Sequence, residues 1–249
     1  MTRAAEVVAV REAVNGAAPV PARRRRLYWV GGSKGGVGKS LVAMAVLDSL
    51  LERSEPVLLV ECDTSNPDVA KVYSSVVRTE LINLDEADGW IHIVNVCEGS
   101  RECTVVVNTA ARNNDAVTRY GAMLDGSVEE LGMELVALWV INRQRDSVEL
   151  LKQFADAVPK ALVHVVRNGY FGAEAKFELF NESKVRRELV EARGGKAITL
   201  PDLADRVADD IYSKRMSFAR GAVELPLGNR AELGRWRKEA ARALAEVLR

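Results

Sequence analysis

Short runs of β-favouring apolar residues, most of them separated by helix-length segments, constrain this chain more than anything else in it. They fall at 27–31, 57–60, 91–96, 104–107, 136–141, 161–166 and 197–200. Their apolar character is continuous rather than alternating, which marks strands buried on both faces. Between and after them lie helix-length stretches at 39–53, 113–131, 146–157, 174–192, 202–215 and 230–249. In the first, Leu41, Val42, Ala45, Val46 and Leu50 recur at helical spacing. Strand alternating with helix predicts an α/β fold, doubly wound, with a mostly parallel sheet of about seven strands and helices on both faces.

A chain of 249 residues with 48% hydrophobic and 28% charged residues has ample material for one core. We expect a basic arm over residues 1–26, open to proteases, followed by a single domain over 27–249. The charge is uneven although the total is zero: residues 1–26 carry a net +4, residues 212–249 a net +5, and the middle −9. Basic ends suit nonspecific contact with DNA, or are simply solvated surface. No apolar run approaches the ~20 residues of a membrane span and no secretory signal is apparent, so a soluble, cytoplasmic protein is expected. In the last helix Leu233, Trp236, Ala240, Leu244 and Val247 share one face. That face is mostly small, which favours packing on the domain over a membrane surface. Cys62, Cys97 and Cys103 show no paired spacing, and His92 and His164 have no neighbours at ligand spacing, so neither a disulfide framework nor a His or Cys metal site is expected.

The chemistry concentrates in Ser33-Lys34-Gly35-Gly36-Val37-Gly38-Lys39-Ser40, between the first apolar run and the first helix. Glycines let successive backbone N–H groups converge on phosphate oxygens, and the helix N-terminus adds its dipole. Lys39 suits the β and γ phosphates, Ser40 a Mg²⁺ ion, and Leu41 continues the binding set into the helix. Ser33 stands where the strict phosphate-loop pattern has its first glycine, and Lys34 is an additional cation.

This loop, x-K-G-G-x-x-K-[ST], resembles that of the ParA/MinD family of ATPases. The resemblance implies an ATP-dependent homodimer in which Lys34 reaches the nucleotide of the partner. It implies that Lys34, Lys39 and Asp63 serve catalysis, Asp63 closing Glu61-Cys62-Asp63 at the end of the second strand. The alternative for Asp63 is a cap on the helix near Pro67. Asn66-Pro67-Asp68 falls in the region that senses the γ-phosphate. The metal set implied is Ser40, Asp63 and Asn108, where Asn108 departs from the family's aspartate and brings no charge. The 110–114 loop also lacks the family's proline, and both departures point to weak hydrolysis. Asn168, ending His164-Val165-Val166-Arg167-Asn168, matches the family's adenine-binding amide, with a cap on the turn into Gly169 as the alternative. Asn142 also ends a strand but fits that place less well. Pro201 begins the loop that passes the base.

The family positions plasmids, chromosomes, division components or conjugation machinery, which implies a cargo or regulator protein as partner. Accessory plasmid partition or mobilisation is the role these residues favour. Two alternatives remain open: a nucleotide-gated scaffold that hydrolyses little, and a metabolite kinase or synthetase of the same fold.

Overall fold

The computed structural model describes residues 25–248, so the arm expected over 1–26 lies outside the described residues except for its last two. Seven strands form one parallel sheet in the order β3-β2-β4-β1-β5-β6-β7. They are β1 (Arg25–Gly32), β2 (Val57–Glu61), β3 (Arg78–Leu81), β4 (Thr104–Asn108), β5 (Met133–Ile141), β6 (Leu162–Asn168) and β7 (Ala197–Leu200). The helices of a turn or more that shape the site are α1 (Lys39–Glu52), α2 (Asp68–Tyr73), α3 (Ala87–Gly99), α4 (Asn114–Ser127), α5 (Arg145–Ala157), α6 (Asp205–Ser213), α7 (Phe218–Glu224) and α8 (Leu227–Leu244).

Each central strand sends alternate residues into two cores, as a sheet covered on both faces must. Tyr28 and Val30 of β1 join α1, α2, α6, α7 and α8 on one face. Leu27 and Trp29 join α3, α4 and α5 on the other. The doubly wound α/β architecture expected from the apolar runs is therefore present.

Three expectations need correction. The run 91–96 is helical, because Trp90, Ile93 and Cys97 recur at helical spacing and are the residues of α3 that reach the core, while Ile91 is 48% exposed. The seventh strand is instead β3, a polar edge strand whose four residues include no buried one. Pairing on β2 alone defines it, and no apolar run announces it. Segment 174–192 is broken into short turns, including a π-helical one at Arg187–Ala192, rather than one helix. Finally, Arg25 and Arg26 are strand residues. The guanidinium of Arg25 donates to the carbonyls of Cys97, Ser100 and Leu131, and Arg26 pairs with Glu134 at 3.0 Å.

The face predicted for the last helix is the buried one: Leu233, Trp236, Ala240, Leu244 and Val247 all lie in the core. Its polar flank is anchored by Arg237, which forks onto Asp48 of α1 at 2.8 and 2.9 Å. Other basic residues near the C-terminus are likewise paired within the chain: Lys214 with Asp210, Arg220 with Glu224, and Arg235 with Glu232 and Glu239. Lys238 and Arg242 are exposed and form no ion pair among the described residues. Within those residues no helix is long and apolar enough to cross a membrane.

Candidate functional site

The parallel sheet puts the C-terminal ends of β1, β2, β4, β6 and β7 along one edge, where open α/β sheets bind ligands. A cavity of about 490 Å³ opens there. Gly35, Gly36, Gly38, Lys39, Ser40, Leu41, Asp63 and Asn168 line it, all of them expected from sequence. Gly38 has φ 103°, and a Cβ there would collide with the Asn168 amide. Only glycine can hold that turn so close to β6.

Lys39 is buried, and its ammonium donates to the Lys34 carbonyl at 2.8 Å. Burial lowers its pKa to about 8, opposed by the negative charge of Asp63. The Lys34 side chain, 54% exposed, instead pairs with Asp146 at the start of α5. Ser33 turns inward, its hydroxyl 2.9 Å from that of Ser147, which in turn donates to Asn142 at 2.7 Å. The Ser33 hydroxyl thus ties the loop to α5, an arrangement a glycine could not make.

Asn168 spends both ends of its amide on the protein. Its Nδ2 donates to the Val37 carbonyl at 2.9 Å, and its Oδ1 accepts from the Tyr170 N–H at 3.1 Å. The capping arrangement is the one observed, and Asn168 lines the cavity while holding the loop. The carbonyl of Pro201 accepts from the Trp236 indole at 2.8 Å, and its neighbours Asp202 and Leu203 line the cavity in its place.

On the β2 and β4 side the geometry departs further from expectation. Asn108 faces Glu61 across the paired strands. Its Nδ2 donates to Glu61 Oε1 at 2.8 Å, its Oδ1 is buried without a partner, and the residue does not line the cavity; Thr109 does. Glu61 also accepts from the N–H groups of Asp63 and Ala70. Burial nevertheless pushes its pKa up to about 7. The first carboxylate of Glu61-Cys62-Asp63 is therefore a buried brace of the strand ends, and only the second reaches the cavity. Asp63 Oδ1 accepts the N–H of Asn66 at 3.2 Å, so it organises the loop before α2 as well.

Sequence reasoning missed several residues that matter here. Asn114 donates to the carbonyls of Gly32, Ser33 and Ala111, clamping the 110–114 loop to the phosphate loop. Tyr170, Asp205, Ala208 and Tyr212 form the far wall of the cavity. None belongs to a local pattern; α6 delivers three of them from the other end of the chain.

Residues 28–168 match the CbiA family, described as the CobQ/CobB/MinD/ParA nucleotide binding domain. The chain belongs to this family. Protein MobD of Acidithiobacillus ferrooxidans is 62% identical over 224 residues, covering 90% of this chain and 98% of that protein. Among solved structures, the MinD cell division protein of Aquifex aeolicus superposes with a TM-score of 0.53 at 13% identity, covering 89% of this chain and 97% of that one. The signal recognition particle 54 kDa protein of Aeropyrum pernix, in complex with GDP, superposes with a TM-score of 0.51 at 15% identity, over 96% of this chain and 57% of that one. Identities this low bear on fold alone. As a member of the CobQ/CobB/MinD/ParA family the chain carries a nucleotide-binding domain, and the family match ends at Asn168, short of the α6 wall.

Its donor set suits a divalent cation of the Mg²⁺ type. Ser40 and Asp63 both line the cavity and offer hard oxygens, whereas Asn108, expected as a third ligand, faces Glu61 and does not line it. Among the described residues no group of three or more His, Cys, Asp or Glu could hold a metal ion.

Proposed function

We propose that this protein is an ATPase of the ParA/MinD kind, an ATP-dependent dimerisation switch that positions a cargo, with mobilisation as the role its MobD relative supports best. The observation that carries the reading is the division of labour within one loop: Lys39 is buried in the cavity and Lys34 is half-exposed beside it. A buried lysine suits the nucleotide of its own chain, and an exposed one on the same turn suits a partner's.

Hydrolysis of a phosphoanhydride needs positioning and charge neutralisation more than a covalent group. The glycine backbone and the start of α1 would cradle the phosphates, and Lys39 would neutralise them. Ser40 and Asp63 would hold Mg²⁺, whose charge would offset that of the phosphates when bound. Asp63 would also orient water. The far wall, with Tyr170, Leu203 and Tyr212, would enclose the base. The protein partners are a second copy of this chain and a cargo or regulator. DNA contact at the C-terminus would have to rest on the exposed cations without an ion pair among the described residues, such as Arg215, Lys238 and Arg242.

One observation favours a second reading, a scaffold that binds ATP and hydrolyses it slowly. Asn108 stands at the end of β4 without charge, bound to Glu61.

ATP turnover with Mg²⁺, together with sedimentation in ATP and in ADP, tests both. Dimers in ATP that vanish in Lys34→Ala and Lys39→Ala, with measurable turnover, support the switch. Dimers without turnover support the scaffold. Nucleotide binding with neither dimers nor turnover sinks both.

A further inference from the structure

We propose that Arg112 is a positioning residue that sets the charge presented by Asp63, and so governs how strongly nucleotide binding at this site depends on a divalent cation. The inference rests on the nucleotide-site reading above and adds to it a residue that no motif of the loop predicts.

The 110–114 loop is held at three points by groups other than Arg112. Asn113 Oδ1 accepts the Ala110 N–H, and its Nδ2 donates to Asp85 Oδ1, both at 2.8 Å. Asn114 Nδ2 donates to the Ser33 carbonyl at 3.3 Å. The backbone is thereby fixed, and the Arg112 side chain, 37% exposed, reaches across to the end of β2. Its Nε donates to Asp85 Oδ2 at 2.8 Å, its Nη1 to Asp63 Oδ1 at 3.3 Å, and its Nη2 to Thr64 Oγ1 at 3.1 Å.

Asp63 consequently lies between two cations, Arg112 on the loop side and Lys39 in the cavity, which senses the charge of Asp63. Asp68, the other carboxylate at this end of the cavity, is already held by Lys71 at 3.0 Å and by the Asn66 amide at 2.6 Å. Asn108 adds no charge. A divalent ion entering here meets carboxylates whose charge is largely compensated, while nucleotide phosphates meet less repulsion from them. Asp85 competes for the same guanidinium and holds the shorter bond. Its charge therefore draws Arg112 away from Asp63.

That competition gives the test its sign. Binding of a fluorescent mant-ADP to the full chain is followed from EDTA to millimolar MgCl₂. Wild type binds the nucleotide with a shallow dependence on Mg²⁺. Arg112→Ala lowers the Mg²⁺ midpoint by roughly tenfold, as expected for removing one neighbouring unit charge in a partly solvated site. Arg112→Lys keeps the wild-type midpoint. Asp85→Asn leaves the midpoint unchanged or raises it, because the guanidinium then turns fully to Asp63. An Arg112→Ala midpoint equal to wild type overturns the inference. So does a fall of similar size in Arg112→Ala and Asp85→Asn, which would mean that loop order rather than charge is being measured. If wild type binds no mant-ADP at any Mg²⁺ concentration, the nucleotide-site reading itself falls; if it binds and the midpoint does not move, only the role of Arg112 does.

Discussion

The two halves of the cavity are built on different principles. On the β1 side the phosphate loop works through backbone: glycines at positive φ, a helix start, and one buried lysine. On the β2 and β4 side the work is done by side chains that hold one another, Asn108 with Glu61, Asp63 with Arg112, and Asn114 with the loop carbonyls. The first half carries the loop pattern Ser33 to Ser40 on which the sequence resemblance rests. The second holds an uncharged amide, Asn108, at the end of β4, bound to Glu61. A backbone cradle admits few substitutions, since a Cβ in the wrong place closes it. A charge network can be rewritten so long as each buried group finds a partner.

The sharpest way to test that contrast is to remove one group from each half. Lys39→Ala should cut nucleotide affinity at least about 100-fold, the cost of leaving phosphates unpaired in a desolvated site. Asn108→Ala should change it by less than about threefold, since that amide serves Glu61. Calorimetric titration with ADP measures both, and equal losses would erase the distinction.

Gly38→Ala comes next and should cost about 2–4 kcal/mol in urea unfolding, from the positive φ and the collision with Asn168. A loss under 1 kcal/mol (about the plain Gly/Ala difference) would mean that the loop is not rigidly held.

Glu61→Gln probes the other half through pH. The folded pKa of about 7 lies above that of an unfolded glutamate, so the stabilising contribution is complete below about pH 4.3 and is lost as pH rises through about 7. Wild type should therefore lose on the order of 3 kcal/mol between those limits through this group, and Glu61→Gln should show a flatter profile. An unchanged slope would place the proton elsewhere. The smallest effect belongs to Asn114→Ala, about 1 kcal/mol in thermal unfolding from its lost bonds to loop carbonyls.

What could be read in advance follows the same division. The strands with continuous apolar runs, the phosphate loop and the buried face of α8 all announce themselves locally, because each is a pattern within one segment. The edge strand β3 does not, since its four residues Arg78, Thr79, Glu80 and Leu81 become a strand only by pairing with β2. The run 91–96 misled because apolar density outweighed the helical spacing of Trp90, Ile93 and Cys97. Ser33 was legible as a missing glycine, while its bond to Ser147 spans 114 residues and required the fold.

By itself, then, the order of residues determined the sheet with its two covered faces, the phosphate loop, and the placing of Lys39, Ser40 and Asp63 at the cavity. These depend on periodicity and on backbone permissiveness, which act over a few neighbours. Tertiary structure alone decided that Asn168 braces the loop, that Glu61 and Asn108 face each other, and that Arg112 reaches Asp63. Such pairings join residues about 50 to 130 positions apart, and their strength comes from burial and distance, which exist only once the strands have been laid side by side.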